Sequence, residues 1–314
     1  MALSPADEDM HANTGEPNFN ESMYFNVYDR TARVGGFVRI GNRPNEGYAE
    51  TTVALYQPDG TALFNFKRPP IVDNAAFSAG GTRFEVVEPY KHLRVRYDGK
   101  ALFLAQPLDL EDPRQAFTGN PFRAVSLELD WYGLSPLYGG DGLDQGGEMV
   151  FARGHYEQHG RAVGRLRVGD ADIALDGFGL RDHSWGPRSW QSPAYYRWLI
   201  GQFDAGFGFM GSQIVTQAGT ELLSGFVFRD GANHFIDRLT LHTDWREPGH
   251  YHDRLALTLH SRAGAVSITG RVLSMLPLRN RRDGKTTRIS EGLTEWRCGE
   301  QVGYGWSEYL DQMP

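Results

Sequence analysis

Residues 51–66 read TTVALYQPDGTALFNF, with two apolar runs on either side of Pro58-Asp59-Gly60-Thr61. Both runs alternate apolar and polar side chains and are rich in β-branched and aromatic residues, which is typical of half-buried strands. Asp-Gly at the centre favours the positive φ angles that a tight turn between antiparallel strands requires. The stretch therefore predicts a β-hairpin.

The same pattern recurs along the chain, from YFNVYDR at 24–30 to TTRISEGLTEWRCGEQVGYGWSEYL at 286–310. Further tight turns are predicted at Tyr97-Asp98-Gly99-Lys100, Arg229-Asp230-Gly231 and Cys298-Gly299-Glu300. No amphipathic pattern of ten or more residues indicates a helix, although a short helix at 141–148 stays open. The predicted fold class is all-β.

About seventeen strands exceed what one small barrel holds, so the sequence favours two consecutive antiparallel β-barrels or sandwiches that meet near residues 170–190. We expect a polar N-terminal segment over 1–20, one β domain over 21–176 and a second over 177–314. Wide antiparallel barrels keep an interior pocket, which suits a bulky apolar ligand.

Composition excludes several classes of function. The net charge of −7 and the scattered arginines give little support for binding to nucleic acid. No apolar run approaches the length of a membrane span, and the polar, acidic start MALSPADEDM does not resemble a secretory signal, so a cytoplasmic location is expected. The single cysteine, Cys298, excludes an intramolecular disulfide. A serine-hydrolase elbow, a phosphate-binding glycine loop and Cys/His zinc spacing are all missing from the sequence.

The segment 177–190, GFGLRDHSWGPRSW, concentrates ionisable and aromatic side chains between two strand-like runs. In an extended chain Asp182 and His183 point to opposite faces, so Asp182 shares a face with Ser184, and His183 shares one with Trp185. An Asp in a poorly hydrated aromatic pocket has a raised pKa and can donate a proton. Alternatively, Asp182 forms a salt bridge with Arg181 or Arg188, or caps a turn.

Aromatic side chains follow closely, and their faces can stabilise a developing cation or simply pack in a core. They are Trp185, Trp190, Tyr195, Tyr196 and Trp198.

A second concentration of ionisable groups is His155-Tyr156-Glu157-Gln158-His159. On a strand, His155, Glu157 and His159 share a face but spread over about 13 Å, too far for one metal ion unless the chain bends. His159-Gly160 also indicates a hairpin turn. A role for His155 or Glu157 in a pocket is therefore favoured over metal binding.

Asp182-His183-Ser184-Trp185-Gly186 resembles the Asp-His-Asn-aromatic-Gly signature of the lipocalin-like superfamily that includes hydroxyneurosporene synthase, the carotenoid 1,2-hydratase, and the two-barrel AttH-like proteins. The resemblance implies two consecutive lipocalin-like barrels, and it assigns to Asp182 the protonation of an isoprenoid double bond. Bacterial proteins that share Asn20-Glu21-Ser22 and 155–158 are also similar, although Glu21 is expected to cap a turn. Ser184 stands where the hydratase signature has Asn, which puts the substrate in question.

The leading hypothesis is a cofactor-independent, metal-free hydratase or dehydratase, isomerase or cyclase acting on a hydrophobic terpenoid or steroid-like molecule. In this hypothesis Asp182 protonates the substrate, and His183 or His155 orients the acid or positions water. Glu157 is a further candidate catalytic residue. The predicted substrate-binding residues are Trp185, Trp190, Arg188, Tyr196, Trp198, Tyr156 and Gln158. The alternatives are a non-catalytic lipocalin-like carrier and a structural β protein. The oligomeric state, monomer or homodimer, is left open.

Overall fold

The computed structural model describes residues 3–141, 152–247 and 249–313, and within these ranges the chain is built almost entirely from antiparallel strands. The all-β prediction is therefore confirmed. Most of the segment where a short helix was left open, residues 142–148, lies outside the described residues. The chain divides into two compact units, one running to Gln106 and resuming over Ala116–Ser189, the other comprising Pro107–Gln115 and the chain from Trp190 onward.

The strands of the first unit are β1 (Phe19–Asp29), β2 (Val34–Arg43), β3 (Tyr48–Tyr56), β4 (Ala62–Lys67), β5 (Ser78–Ala79), β6 (Thr82–Glu88), β7 (His92–Leu104), β8 (Phe122–Gly133), β9 (Tyr138–Asp141), β10 (Gly154–Val168) and β11 (Ala171–Pro187). Their order is β4-β3-β2-β1-β11-β10-β8-β7-β6-β5, and β9 pairs with β10. An additional pairing between β4 and β7 closes the ring β1-β2-β3-β4-β7-β8-β10-β11.

The core of the first unit is formed by alternate residues of these strands, since successive side chains of a strand point to opposite faces. Met23 and Phe25 of β1 belong to it together with Val38, Leu127 and Trp131. The apolar interior around Phe25 encloses a void of about 10 Å³. A void of this size holds about one water molecule.

The strands of the second unit are β12 (Pro193–Asp204), β13 (Phe207–Thr216), β14 (Glu221–Arg229), β15 (Ala232–Arg246), β16 (Tyr251–Ser261), β17 (Gly264–Arg282), β18 (Lys285–Cys298) and β19 (Gln301–Gln312). They form a closed barrel in sequence order, in which β19 pairs with β12. Its core contains Leu199, Phe209, Leu257, Trp296 and Tyr309.

Within the described residues the helices are short; the first precedes β1, and the others lie between strands. Three 3₁₀ helices span Pro5–Glu8, Pro44–Glu46 and Pro107–Glu111, and one α-helix, α1, spans Pro113–Gly119. No helix within the described residues is long and apolar enough to cross a membrane.

Three of the predicted hairpin turns are confirmed. Gly60 (φ 86°) lies between β3 and β4, Gly231 (φ 79°) between β14 and β15, and Gly299 (φ 59°) between β18 and β19. The turn predicted at Tyr97–Lys100 is wrong, because β7 runs through these residues and Gly99 pairs with Val125 of β8. A Cβ at Gly99 would lie 2.8 Å from the Tyr97 hydroxyl, so this glycine makes room for a side chain.

The turn predicted at His159-Gly160 is also wrong, since β10 is continuous from Gly154 to Val168. Gly160 lies against the buried indole of Trp131, and a Cβ there would come within 2.5 Å of the ring. The compact units also divide after Ser189 instead of at residue 177, because β11 continues to Pro187 and pairs with β1 and β10 of the first unit.

We predict that Gly160→Ala destabilises the first unit by about 1–3 kcal/mol, because overpacking against the Trp131 indole forces the ring or the strand to shift. Urea unfolding followed by tryptophan fluorescence measures the change. Gly119→Ala is the matched control, since a Cβ there meets no atom within 4 Å. Equal free energies of unfolding for the two variants would contradict the close packing at Gly160.

Candidate functional site

Strand β11 carries the signature residues between β1 and β10, and the register fixes which face each side chain occupies. Asp182 lies opposite Tyr24 of β1 and Glu157 of β10, whereas His183 lies opposite Met23 and Tyr156. Directly opposed residues of an antiparallel pair share a face of the sheet. The alternation predicted for Asp182 and His183 is therefore confirmed, and the ionisable residues form two separate groups.

We call the first group the core-face network, because it lies on the face that carries Met23 and Phe25. It comprises Glu8, His11, Glu21, Tyr156, Gln158, Arg181, His183 and Trp185. We call the second group, on the opposite face of the same strands, the outer-face cluster. It comprises Asn20, Ser22, Arg39, His155, Glu157, Asp182, Ser184 and Arg188.

Glu21 is the centre of the core-face network. Its Oε1 lies 2.7 Å from His11 Nδ1 and 2.9 Å from His183 Nε2, and its Oε2 accepts hydrogen bonds from the His11 backbone N–H and from Asn74. Burial by itself would raise the pKa of Glu21, but the two imidazoles outweigh it and hold the pKa at about 2. Glu21 is thus an ionised carboxylate inside the protein and not the turn cap that the sequence suggested.

The second buried ion pair of the network joins Arg181 to Glu8 of the first 3₁₀ helix. Arg181 Nη1 and Nη2 donate to the two Glu8 carboxylate oxygens at 2.6 and 2.9 Å, and both side chains are fully buried. The Tyr156 hydroxyl donates to Glu8 Oε1 at 2.6 Å and also lies 3.1 Å from His183 Nδ1. This bidentate pair fastens the N-terminal segment to β10 and β11.

The side chains of Trp185 and Gln158 each contact another member of the core-face network. The Trp185 indole stacks on the His11 ring at 3.7 Å between centroids. Gln158 donates to the Tyr90 and Ser135 carbonyls and accepts from Arg181 Nε. The cation-stabilising role predicted for Trp185 beside Asp182 is therefore wrong, since the two lie on opposite faces, and Gln158 has its amide occupied by the protein itself.

Metal-ligating side chains converge at one point of the described chain. The ligand atoms of His11, Glu21 and His183 all lie within 4.8 Å of one another, and two imidazoles with a carboxylate are a donor set that zinc accepts. The observed contacts are hydrogen bonds that already use these atoms. The three side chains thus bind one another directly, with the carboxylate between the two imidazoles.

In the outer-face cluster, His155 lies between two carboxylates. Its Nε2 is 3.5 Å from Asp182 Oδ2 and 3.5 Å from Glu157 Oε1. Its other ring nitrogen, Nδ1, is buried and has no hydrogen-bonding partner among the described residues. The imidazole therefore has one nitrogen near two carboxylates and one buried nitrogen with unused hydrogen-bonding capacity.

The protonation states of this pair differ from the sequence prediction. Burial would raise the pKa of Asp182, but the His155 imidazole, followed by Arg188 and Arg39, lowers it below its ordinary value. For His155, burial lowers the pKa, but Asp182 and Glu157 outweigh it and raise the pKa above 6.5. The proton therefore resides on His155, and the prediction that Asp182 has a raised pKa is wrong. Arg181, the salt-bridge partner first considered, lies on the other face.

Arg188 and two serines complete the neighbourhood of Asp182. Arg188 Nη1 donates to Ser184 Oγ at 2.9 Å and to Ser22 Oγ at 3.3 Å, and the two serine hydroxyls share a hydrogen bond of 2.9 Å. Arg188, predicted to bind substrate, thus lies on the same face as Asp182, as do His155 and Glu157.

The remaining predicted residues belong to the second unit. Trp190 and Trp198 are half-buried, and the Tyr196 hydroxyl donates to the Glu308 carboxylate. Glu308 lies opposite Trp198 on one side and Glu291 on the other. Burial raises the pKa of Glu291 to about 8. The second unit thus carries a buried carboxylic acid, Glu291, on the same strand face as Trp198, with Glu308 between them.

Comparisons with known proteins agree with this architecture. Solved structures of the same fold include a protein assigned as AttH from Nitrosomonas europaea (16% identity, TM-score 0.64, covering 99% of this chain and 96% of that one). Kievitone hydratase from Nectria haematococca is 11% identical with a TM-score of 0.62, covering 98% and 93% of the two chains. CghA is 14% identical with a TM-score of 0.59, covering 94% and 88%.

The fold is therefore that of the lipocalin-like two-barrel proteins, as the resemblance implied. Within that class, the family model described as Domain of unknown function (DUF7064) matches residues 4–313, and the chain belongs to this family. A search of curated proteins found no match.

We predict that Glu8→Ala lowers the free energy of unfolding by about 3–5 kcal/mol, because it leaves the Arg181 guanidinium buried without its carboxylate. Asp9→Ala, at the exposed neighbouring position, is the control and should change stability by less than about 0.5 kcal/mol. Urea denaturation at neutral pH measures both. A Glu8→Ala variant as stable as Asp9→Ala would show that the N-terminal segment is not fastened through Arg181.

Proposed function

We propose that this protein is an acid–base enzyme that adds water to, removes water from, or rearranges a hydrophobic molecule, with His155 as the proton donor and Asp182 as the carboxylate that holds it. The observation that carries the proposal is the His155 imidazole between Asp182 and Glu157 with its Nδ1 unpartnered among the described residues. A proton donor must carry its proton at the operating pH, and the two carboxylates raise the pKa of His155 and so favour its protonated form.

The proton balance of a hydration follows from this arrangement. The His155 imidazolium gives its proton to one alkene carbon, water attacks the adjacent carbon, and the proton lost from that water returns to neutral His155. In the reverse direction the imidazolium protonates the departing hydroxyl group. Neutral His155 then accepts the proton lost from the neighbouring carbon and becomes an imidazolium again. Asp182 stays ionised in both directions and stabilises the imidazolium by charge.

The reaction class is supported by the structural neighbours and by the lack of standard catalytic motifs in the sequence. Kievitone hydratase has the same fold, and CghA has been solved with Sch210972. A terpenoid or steroid-like molecule remains the proposed substrate. The aromatic residues Trp190, Tyr196 and Trp198 remain proposed contacts for a substrate bound within the second unit. Tyr156 and His183 are proposed to act indirectly, by fixing β10 and β11 from the core face.

Glu291 is a second candidate donor. Its pKa of about 8 makes it a neutral acid at physiological pH, and it lies on the same strand face of the second unit as Trp198. Glu291→Gln keeps the shape of the side chain and removes its proton, so this variant separates the two donors.

The alternative function is a carrier that stores an apolar ligand inside a barrel, and the interior around Phe25 in the first barrel does not supply the space for it. The void within the first barrel has the volume of about one water molecule. The cytoplasmic location remains a prediction, and the oligomeric state stays open.

The decisive experiment incubates the purified protein with a panel of terpenoid and steroid alkenes in H₂¹⁸O and detects the labelled alcohol by mass spectrometry. We predict that His155→Gln lowers the rate by about 10²–10⁴-fold. In the wild type the rate should fall as the pH rises through the raised pKa of His155, because the imidazolium is then lost. In Asp182→Asn that fall should begin at lower pH.

Arg165→Gln, which removes an exposed charge from the same strand, is the control and should keep the wild-type rate. If His155→Gln turns over the substrate as fast as the wild type while Glu291→Gln does not, the donor is Glu291. If neither variant loses activity, the acid–base proposal is wrong.

A further inference from the structure

The core-face network contains three side chains that can each bind a metal ion. Glu21 Oε1 lies 2.7 Å from His11 Nδ1 and 2.9 Å from His183 Nε2, and the ligand atoms of the three side chains all lie within 4.8 Å of one another. Two imidazole nitrogens and one carboxylate oxygen are a common set of zinc ligands. His11 precedes β1, whereas Glu21 belongs to β1 and His183 to β11. The fold thus brings together a donor set from three separate parts of the chain.

The second nitrogen of each imidazole faces a carboxylate, either directly or through one hydroxyl group. His11 Nε2 lies 3.5 Å from Asp7 Oδ1. His183 Nδ1 lies 3.1 Å from the Tyr156 hydroxyl, which donates its own proton to Glu8. Metal-binding histidines almost always have such an outer partner, because it fixes the tautomer and makes the ligating nitrogen more basic. Both imidazoles therefore have the surroundings of metal ligands.

The hydrogen-bond pattern also assigns the hydrogen positions of His183. Because the Tyr156 hydroxyl donates to Glu8, its oxygen accepts from His183, so Nδ1 of the imidazole carries a hydrogen. In a neutral imidazole the other nitrogen, Nε2, then has a lone pair and no hydrogen. This nitrogen lies 2.9 Å from the Glu21 carboxylate, so the two atoms have to share a positive charge. Either a second proton on the imidazole or a metal ion supplies that charge.

We propose that His11, Glu21 and His183 bind one zinc ion, which takes the place of the protons that the three side chains share. The same nitrogen and oxygen lone pairs that meet at those protons bind the metal, and the protons are released to solvent. Zinc bonds of about 2.0–2.1 Å place tetrahedral ligand atoms about 3.3 Å apart. The contacts of 2.7 and 2.9 Å therefore lengthen by roughly half an ångström when the ion binds.

The position of the site gives the ion a structural role. The side chains of Glu21 and His183 are fully buried, and the Trp185 indole stacks on the His11 ring. The ion joins the N-terminal segment to β1 and β11, and a water molecule completes its coordination. The partly exposed His11 side chain is the route by which the metal enters. The catalytic proposal does not depend on this site, because His155 lies on the opposite face of the same strands.

The test is zinc binding by the full-length protein after bound metals have been removed with EDTA. Titration calorimetry with ZnCl₂ should show one high-affinity site, and metal analysis after gel filtration should find one zinc ion per chain. Mg²⁺ should not compete, because it prefers oxygen ligands. Zinc should also raise the unfolding temperature, since an ion that binds the folded state stabilises it. If the wild type has no one-to-one zinc site, the proposal is wrong.

His11→Gln removes one ligand at the position where the side chain is partly exposed, which limits the damage to the fold. It should weaken zinc binding by more than about 100-fold, beyond what the loss of an outer partner costs, and abolish the rise in unfolding temperature. His242→Gln is the matched control, because His242 is an exposed histidine that also lies beside an aspartate, and it should keep the wild-type affinity. Equal zinc affinity of the wild type and His11→Gln would overturn the assignment.

Asp7→Asn tests the site without touching a ligand. It should weaken zinc binding by about 10–100-fold, because His11 Nε2 loses its carboxylate partner. Asp9→Asn, at the exposed neighbouring position, is its control and should bind zinc like the wild type. If zinc-free His11→Gln does not unfold cooperatively, Asp7→Asn decides the question: a loss of affinity supports the site, and an unchanged affinity overturns it.

Discussion

The continuous pairing of residues 181–185 of β11 with β1 and β10 is the constraint on which the candidate site depends. Because the three strands stay in register from Gly154 to Gln158 and from Arg181 to Trp185, neighbouring residues are sent to opposite faces of one sheet. A shift of one residue would exchange the two faces and place Asp182 in the core. The pairing thus places the core-face network and the outer-face cluster on opposite faces of the same strands. Their ionic side chains are both buried but do not pair with each other.

The two groups have different physical characters. In the core-face network the buried carboxylates form closed ion pairs: Glu21 accepts from two imidazoles and Glu8 receives a bidentate arginine, so the burial of their charge is compensated within the protein. In the outer-face cluster the contacts of His155 are longer, and both His155 Nδ1 and the Asn20 amide lack partners among the described residues. Closed networks hold a fold together, whereas buried groups with unused hydrogen-bonding capacity are suited to bind and transform a ligand.

Much of this could be predicted from the sequence, because period-two alternation determines both the all-β class and the separation of Asp182 from His183. The predictions that were wrong concern tertiary packing. The sequence predicts turns at Gly99 and Gly160, but each glycine makes room for an aromatic side chain within a continuous strand. The direction of the Asp182 pKa shift depends on His155, and the pairing of β10 with β11 is what brings His155 close to Asp182. Glu8 and His11 lie in a polar N-terminal segment without strand periodicity, and nothing local shows that they reach the core.

The most direct test of the account is the pKa of His155, measured by NMR titration of histidine-labelled protein with His155→Gln used to assign the signal. The account predicts a pKa above 6.5 in the wild type, and a decrease in Asp182→Asn, because the carboxylate that stabilises the imidazolium is removed. A pKa at or below 6.5, unchanged by Asp182→Asn, would show that the proton does not reside on His155 and would contradict its role as donor.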